Sequence, residues 1–263
     1  MDLGLSNKSA LVLAASKGLG KACALALARE GASVMIGSRD PAQLEKTASE
    51  IRDETGERVH CHPVDVTDPQ QIHTFFSAAV AALGRVDILV NNAGGPPFAP
   101  FEQFSDDQWR QALDLNLMST VRFTRLVLPG MKEARWGRIV NIVSLGVKSV
   151  LPGSVLSTAG RLGIVGMAKL VSDEVAAFGI TVNNVASGII LTDRVRQTSL
   201  KQRMDRGMDE RTALEDIARQ IPARRIGQPA ELAALVAFLA SEQAAYITGS
   251  TIPVDGGIVR SLL

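Results

Sequence analysis

The sequence predicts an α/β chain: a doubly wound parallel sheet of seven strands, covered by helices on both faces. Three observations predict it. Short apolar runs alternate with longer helical patterns along all 263 residues. The runs are near-continuous in apolar residues rather than alternating, as expected of strands buried on both faces. The first run passes through a glycine-rich turn directly into a helix.

The elements follow in order. Ala10-Leu11-Val12-Leu13 is the first strand, and a helix covers residues 18–29. Ser33-Val34-Met35-Ile36-Gly37 is the second strand. Asp40-Pro41 then starts a helix with Pro at its first position. Residues 58–64 form the third strand, and Asp68-Pro69 starts a helix in the same way. Val86-Asp87-Ile88-Leu89-Val90 is the fourth strand, and one long helix is expected over 105–131 with Pro129 near its end. A fifth strand spans 138–143, a helix 155–178, a sixth strand 181–185, a helix 231–240 and a last strand 251–254. Right-handed crossovers make such a sheet doubly wound, the Rossmann arrangement. No repeat or linker is visible, so residues 1–263 read as one domain. The segment 192–227 is charged, of mixed sign, and follows a strand end. It reads either as a substrate lid or as a solvated helix pair, and its mixture of Arg and Glu points toward an anionic substrate.

Composition narrows the function. Hydrophobic residues make up 46% of the chain, enough for a large core, and the formal charge of +1 argues against nucleic acid or an anionic membrane as partner. Two cysteines do not make a disulfide framework, so a cytoplasmic setting is expected. Met1-Asp2-Leu3-Gly4 does not open a signal peptide, and no uninterrupted apolar stretch reaches membrane-span length. A small-molecule substrate remains.

The turn after the first strand reads Ala14-Ala15-Ser16-Lys17-Gly18-Leu19-Gly20. Glycines at this position let backbone N–H groups and the helix dipole meet a pyrophosphate. The spacing resembles the Gly-x-x-x-Gly-x-Gly loop of the short-chain dehydrogenase/reductase family, of the 3-oxoacyl-ACP-reductase-like kind. Asn91-Asn92-Ala93-Gly94, Asn116, Asn141-Ile142-Val143-Ser144, the run from Gly179 to Asn184 and Val254-Asp255-Gly256-Gly257 resemble further motifs of that family across nearly the whole chain. The loop departs from the pattern at Ala14, which is tolerable where its φ is negative.

The resemblance implies a nicotinamide dinucleotide cofactor. Expected contacts are Ala14, Ser16, Lys17, Gly18, Leu19, Gly20, Arg39, Asp65, Val66, Asn92, Ala93, Gly94, Arg161, Gly188, Ile190 and Thr192. Asp65 reads alternatively as a plain helix-entry residue and Thr192 as a cap. No carboxylate stands at the end of the second strand, whereas Arg39 and Lys17 suit a 2′-phosphate, so NADP(H) is preferred over NAD(H).

In the family a tyrosine protonates the substrate carbonyl and a lysine four residues on lowers its pKa. A serine steadies the carbonyl, and an asparagine orders a relay water. This chain keeps Asn116 and Ser144 but has Ser157 for the tyrosine and Arg161 for the lysine. An aliphatic hydroxyl is a far weaker acid than a phenol, and an arginine does not exchange its proton at ordinary pH. The expected catalytic set is therefore Asn116, Ser144, Ser157 and Arg161. Lys148 is a further candidate acid if desolvated. The only tyrosine, Tyr246, is expected to pack in the C-terminal turn. His60, Cys61, His62 and His73 resemble a metal cluster by composition, but on a strand Cys61 faces away from His60 and His62, so no metal site is expected.

Two functions remain open. One is an NADP(H)-dependent reductase of a carbonyl or activated enone that works without the usual acid. The other is an NADP(H)-binding regulator, or the inactive subunit of a mixed oligomer. The resemblance also implies a homotetramer.

Overall fold

The computed structural model describes residues 2–262. Seven parallel strands form one sheet: β1 (Ser9–Leu13), β2 (Ser33–Ser38), β3 (Val59–Pro63), β4 (Ile88–Asn91), β5 (Gly137–Ser144), β6 (Ile180–Ser187) and β7 (Thr251–Val254). Their order across the sheet is β3-β2-β1-β4-β5-β6-β7. The chain thus winds outward from β1 one way and from β4 the other, which opens a crevice above the β1/β4 boundary.

Two cores result, one on each face. Residues in β1 divide by parity: Ala10 and Val12 enter the core built by α1 (Gly18–Arg29), α2 (Pro41–Thr55) and α10 (Pro229–Leu239). Leu11 and Leu13 enter the core on the opposite face, built by α3 (Pro69–Leu83), α5 (Ser119–Ala134) and α6 (Val155–Val175). The period-two alternation of a strand thereby feeds both layers, which is why the sequence shows no polar face there.

The two Asp-Pro starts are confirmed. Asp40 accepts from the Gln43 N–H, and Asp68 from those of Gln70 and Gln71, each followed by Pro in the first turn. The expected long helix over 105–131 is not continuous. It divides into α4 (Asp106–Leu113), a π-turn (Asp114–Met118) and α5. The Ser119 N–H reaches back five residues to the Asp114 carbonyl. The buried Ser119 hydroxyl donates to the Leu115 carbonyl at 2.6 Å, with the Asn116 carbonyl 3.2 Å away, and Thr120 Oγ1 donates to the Asn116 carbonyl at 2.9 Å. Apolar periodicity does not register one extra residue in a turn, so the interruption was not visible in the pattern.

A row of amides crosses the sheet at one level. Asn91 pairs in register with Asn141, Asn141 with Asn184, and Asn184 with Thr251. Asn91 Nδ2 donates to Asn141 Oδ1 at 2.8 Å, Asn141 Nδ2 to Asn184 Oδ1 at 2.9 Å, and Asn184 Nδ2 to Thr251 Oγ1 at 3.1 Å. All three asparagines are buried. Replacing Asn141 with alanine strands a donor on Asn91 and an acceptor on Asn184. This is expected to cost about 2–6 kcal/mol, since each unmet buried group costs about 1–3. Urea unfolding followed by circular dichroism measures it, and a loss below about 0.5 kcal/mol would show that the ladder is not structural.

Candidate active site

The crevice has a phosphate end and a reaction end. At the phosphate end β1 runs into α1 through Ala14 to Lys17. Helices α2, α3, α4 and α9 (Glu210–Arg219) carry side-chain caps, but α1 carries none and has no acidic residue in its first turn. Its first N–H groups and the positive end of its dipole face the crevice. Gly20 is obligatory here, because a Cβ on it would stand 2.4 Å from the Ala14 carbonyl oxygen.

Ala14 itself has φ +47, in the left-handed region. The condition under which an alanine is tolerated without strain, a negative φ, is therefore not met. The turn needs this conformation to bring the chain from strand to helix, so the alanine carries strain of about 1–2 kcal/mol that a glycine would not. The loop is held in place by Asn92, whose Nδ2 donates to the carbonyls of Leu13 and Ala14 at 3.2 and 3.4 Å. Asn92 thus shapes the cradle with its side chain. Thr47 Oγ1 donates to the Ser16 carbonyl at 2.7 Å and ties the loop to α2.

At the tip of β2, Ser38 Oγ is buried with no hydrogen-bond partner, and the exposed Arg39 follows it. Sequence reasoning passed over Ser38. Its signal was there, since it is the last residue of the second strand. Lys17 pairs with Asp193, its Nζ 3.5 Å from the carboxylate. Asp65 Oδ1 is occupied locally by the N–H and hydroxyl of Thr67, and Val66 is packed in the core.

At the reaction end the π-turn places Asn116. Its Nδ2 donates to the Gly94 carbonyl at 3.2 Å, while its Oδ1 is buried without a partner. Ser144, at the end of β5, accepts from the Gly146 N–H at 3.3 Å, which leaves its own proton free to donate. Ser157 and Arg161 lie one turn apart on α6, and both are buried. Arg161 Nε donates to Ser157 Oγ at 3.1 Å, and Nη1 to the Ile142 carbonyl of β5 at 2.8 Å. Burial, and secondly the charge of Arg194, push the Arg161 pKa down to about 10. It remains a cation at neutral pH.

A strap, residues 188–195, runs from the end of β6 to the loops after β1 and β4. Gly188 lies so near β7 that a Cβ would stand 2.5 Å from the Asp255 Cα. Ile190 has its side chain in the core and is bridged to Gly227 through its backbone. Thr192 precedes the short α7 (Asp193–Val195) and makes no side-chain cap, so capping does not account for it. Asp193 pairs with Lys17. Arg194 donates from Nη2 to the Pro96 carbonyl at 2.8 Å and lies 5.8 Å from the Phe98 ring. The short α8 (Lys201–Met204) and α9 follow within the segment 192–227. No local pattern marks Asp193 or Arg194 in the sequence, because their partners lie in loops far away along the chain.

Tyr246 does not pack. It is wholly exposed in the turn after α10, where Ala244 takes the inward position. Lys148 is half-buried, and its carbonyl accepts from Ser261. Cys61 donates its thiol to Glu45 at 2.9 Å, and no group of three His, Cys, Asp or Glu stands close enough to hold a metal among the described residues.

Comparison with known proteins agrees with this geometry. A family model described as enoyl-(acyl carrier protein) reductase matches residues 13–259. The 3-oxoacyl-(acyl-carrier-protein) reductase of Vibrio cholerae is 40% identical over 256 residues, 97% of this chain and 99% of that one. The chain belongs to the short-chain dehydrogenase/reductase family. The nodulation protein G of a Rhizobium species is 37% identical over 254 residues, covering 97% and 98% of the two chains. Among solved structures, L-sorbose reductase from Gluconobacter frateurii, complexed with NADPH and L-sorbose, superposes over the full length of both chains with a TM-score of 0.96 at 32% identity. An actinorhodin polyketide ketoreductase with NADPH gives 0.91 at 33%, covering 97% and 98%. The chain is thus an oxidoreductase of the short-chain type, with the seven-stranded sheet of those structures.

Ala14→Gly is expected to stabilise the protein by about 1 kcal/mol, the relief of strain less the entropy cost of glycine. In a chain of this size that is a rise of about 2–4 °C in Tm by calorimetry. An unchanged or lower Tm would mean that the loop is relaxed around the alanine.

Proposed function

We propose that this chain is an NADP(H)-dependent reductase of a carbonyl or activated enone that works without the phenolic acid of its family. The uncapped N-terminus of α1, set above the β1/β4 boundary, carries the reading. A helix end with no side-chain cap and no acidic residue in its first turn, entered directly from a strand through a glycine turn, is suited to an anionic ligand such as a pyrophosphate. Gly18, Leu19 and Gly20 would hold it through their backbone, with Ala14, Ser16, Lys17 and Asn92 shaping the loop. Ser38, with its unmet hydroxyl, and Arg39 suit a ribose bearing a 2′-phosphate, which favours NADP(H) over NAD(H). Asp65, Val66, Ala93 and Gly94 would line the adenine and ribose, and Gly188, Ile190 and Thr192 the nicotinamide, with Arg161 holding the nicotinamide ribose.

When bound, the dinucleotide supplies a hydride and its two electrons. The chain's own residues then manage the oxygen. Ser157 accepts from Arg161 and is left with its proton to donate, and Ser144 likewise accepts from Gly146. Two O–H donors with a buried guanidinium behind them stabilise the charge that builds as the C=O π bond opens. Neither serine is acidic enough to give up its proton. The unmet Oδ1 of Asn116 can orient a water, which protonates the new alkoxide and leaves as hydroxide. An acceptor already activated, such as a conjugated enone, needs the missing phenol least.

The remaining expectations stand as parts of the same proposal: one domain, with 192–227 acting as a substrate lid, and a homotetramer. The strap bonds from Asp193 and Arg194 support the lid. The exposed Leu162 and Leu170 on the outer side of α6 support assembly through the long helices. Free Cys23 and Cys61 agree with a reducing, cytoplasmic setting. The second reading, a binder without turnover, draws on Ser157 being engaged by Arg161.

NADPH titration followed by fluorescence is expected to give tighter binding than NADH. Arg39→Ala should weaken NADPH about tenfold, a loss of about 1.4 kcal/mol, and leave NADH unchanged. Equal binding of the two cofactors would overturn the preference. Turnover is screened on ketones, enones and β-ketoacyl thioesters. Binding without turnover on any of them would replace the reductase with the regulatory reading. The double variant Ser157→Tyr, Arg161→Lys should raise reduction of unactivated ketones by about 10²-fold or more by restoring a general acid.

A further inference from the structure

Arg161 is a cation buried beyond nine-tenths, yet no carboxylate pairs with it among the described residues. Its two partners, Ser157 Oγ and the Ile142 carbonyl, are neutral. They occupy Nε and one N–H of Nη1, and Nη2 has no acceptor. A buried guanidinium left this way is costly, and folds ordinarily relieve it with an acid.

A second cation faces the same space. Arg194 comes down from the strap against Gly95, where a Cβ would stand 3.1 Å from its Nη2. Gly94, the next residue back, takes the Asn116 amide, and Asn116 Cβ lies 3.4 Å from where a Cβ on Gly160 would stand. Gly160 precedes Arg161. Gly94, Gly95 and Asn116 thus link the surroundings of Arg194 to the helix turn that carries Arg161. The carboxylate next to Arg194 in sequence, Asp193, is turned away to Lys17. The charge of Arg194 is felt at Arg161, whose pKa it helps to lower.

We propose that Arg161 and Arg194 form an anion subsite at the reaction end of the cleft, and that the substrate is an oxo acid carrying a free carboxylate close to its reacting carbonyl. The inference rests on the NADP(H) reading for the neighbouring cofactor, and it names the substrate class of the same site. A carboxylate matches the planar fork of Arg161 in a way that the lysine of the family pattern could not. It supplies the missing counter-charge to both guanidiniums. It also gives a reason for the Ser157/Arg161 pair: the Nη1/Nη2 edge takes the acid group and leaves one Nη2 proton for the nicotinamide ribose, while the two serine hydroxyls take the carbonyl oxygen. Phe98, 49% exposed and beside Arg194, offers an apolar wall for the rest of the molecule.

The test uses two probes of one shape, oxamate with its carboxylate and oxamide without. Both are titrated into NADPH-loaded protein, read by nucleotide fluorescence and by the shift in Tm. Oxamate should bind about tenfold or more tighter than oxamide. Arg194→Gln, a change on the exposed strap, should weaken oxamate about fivefold or more and leave the NADPH Kd unchanged. Arg161→Gln should abolish the preference. Equal binding of the two probes, or an Arg194→Gln variant that binds oxamate as before, would overturn the subsite while leaving the cofactor reading intact. If NADPH itself fails to bind, that reading falls, and the same two probes on the cofactor-free protein decide the subsite by thermal shift.

Discussion

The amide ladder through Asn91, Asn141, Asn184 and Thr251 is the constraint on which the rest of the molecule depends. Parallel strands buried on both faces are otherwise poorly specified in register, because sliding one apolar run along another loses little contact. Sliding any of these strands would leave buried amides unpaired, each at a cost of about 1–3 kcal/mol. The ladder thus sets strands β4 to β7 at one height. Their C-terminal ends then deliver Asn92, Ser144, Gly188 and Asp255 to one rim, with Ser144 level with Ser187, and Ser187 with Val254. The loop that would cradle a phosphate is fastened to this frame by Asn92, the residue directly after the ladder's first member.

The electrostatics of the cleft follow from what that frame leaves open. One end presents a bare helix terminus and an orphaned hydroxyl; the other presents a buried guanidinium and an orphaned amide oxygen. Each is a group that the protein could have satisfied internally and has not. In the family pattern the reaction end holds a phenol and an amine, two groups that can exchange protons. Here it holds an alcohol and a guanidinium, neither of which does so near neutrality, so the protein keeps polarising power and gives up proton exchange. In the proposed reaction, water is then the proton source.

Much of this was legible in the sequence, for definite physical reasons. Strands buried on both faces announce themselves as apolar runs, and Asp-Pro starts announce helix caps. The positions of Ser157 and Arg161 followed from fixed spacing to Ser144 and to the glycines beyond. What could not be read were features set by tertiary geometry. The π-turn at Asn116 adds one residue to a turn without disturbing the apolar pattern. The positive φ of Ala14 depends on how sharply β1 must turn into α1. Asp193 and Arg194 find their partners, Lys17 and Pro96, far away along the chain. Tyr246 is expected to pack because its segment resembles the family's C-terminal turn, but the turn buries every third residue, Ser241 and Ala244, and leaves Tyr246 outside.

That outward position has a use. Tyr246 is the chain's only phenol, so any reagent that nitrates or iodinates tyrosine marks a single known point on the surface. In the isolated chain that ring stands entirely in solvent. Its rate of modification therefore reports on one thing, whether something else covers the turn between α10 and β7. The residue that chemistry would look for in the cleft instead serves as a gauge of assembly on the outside of the molecule.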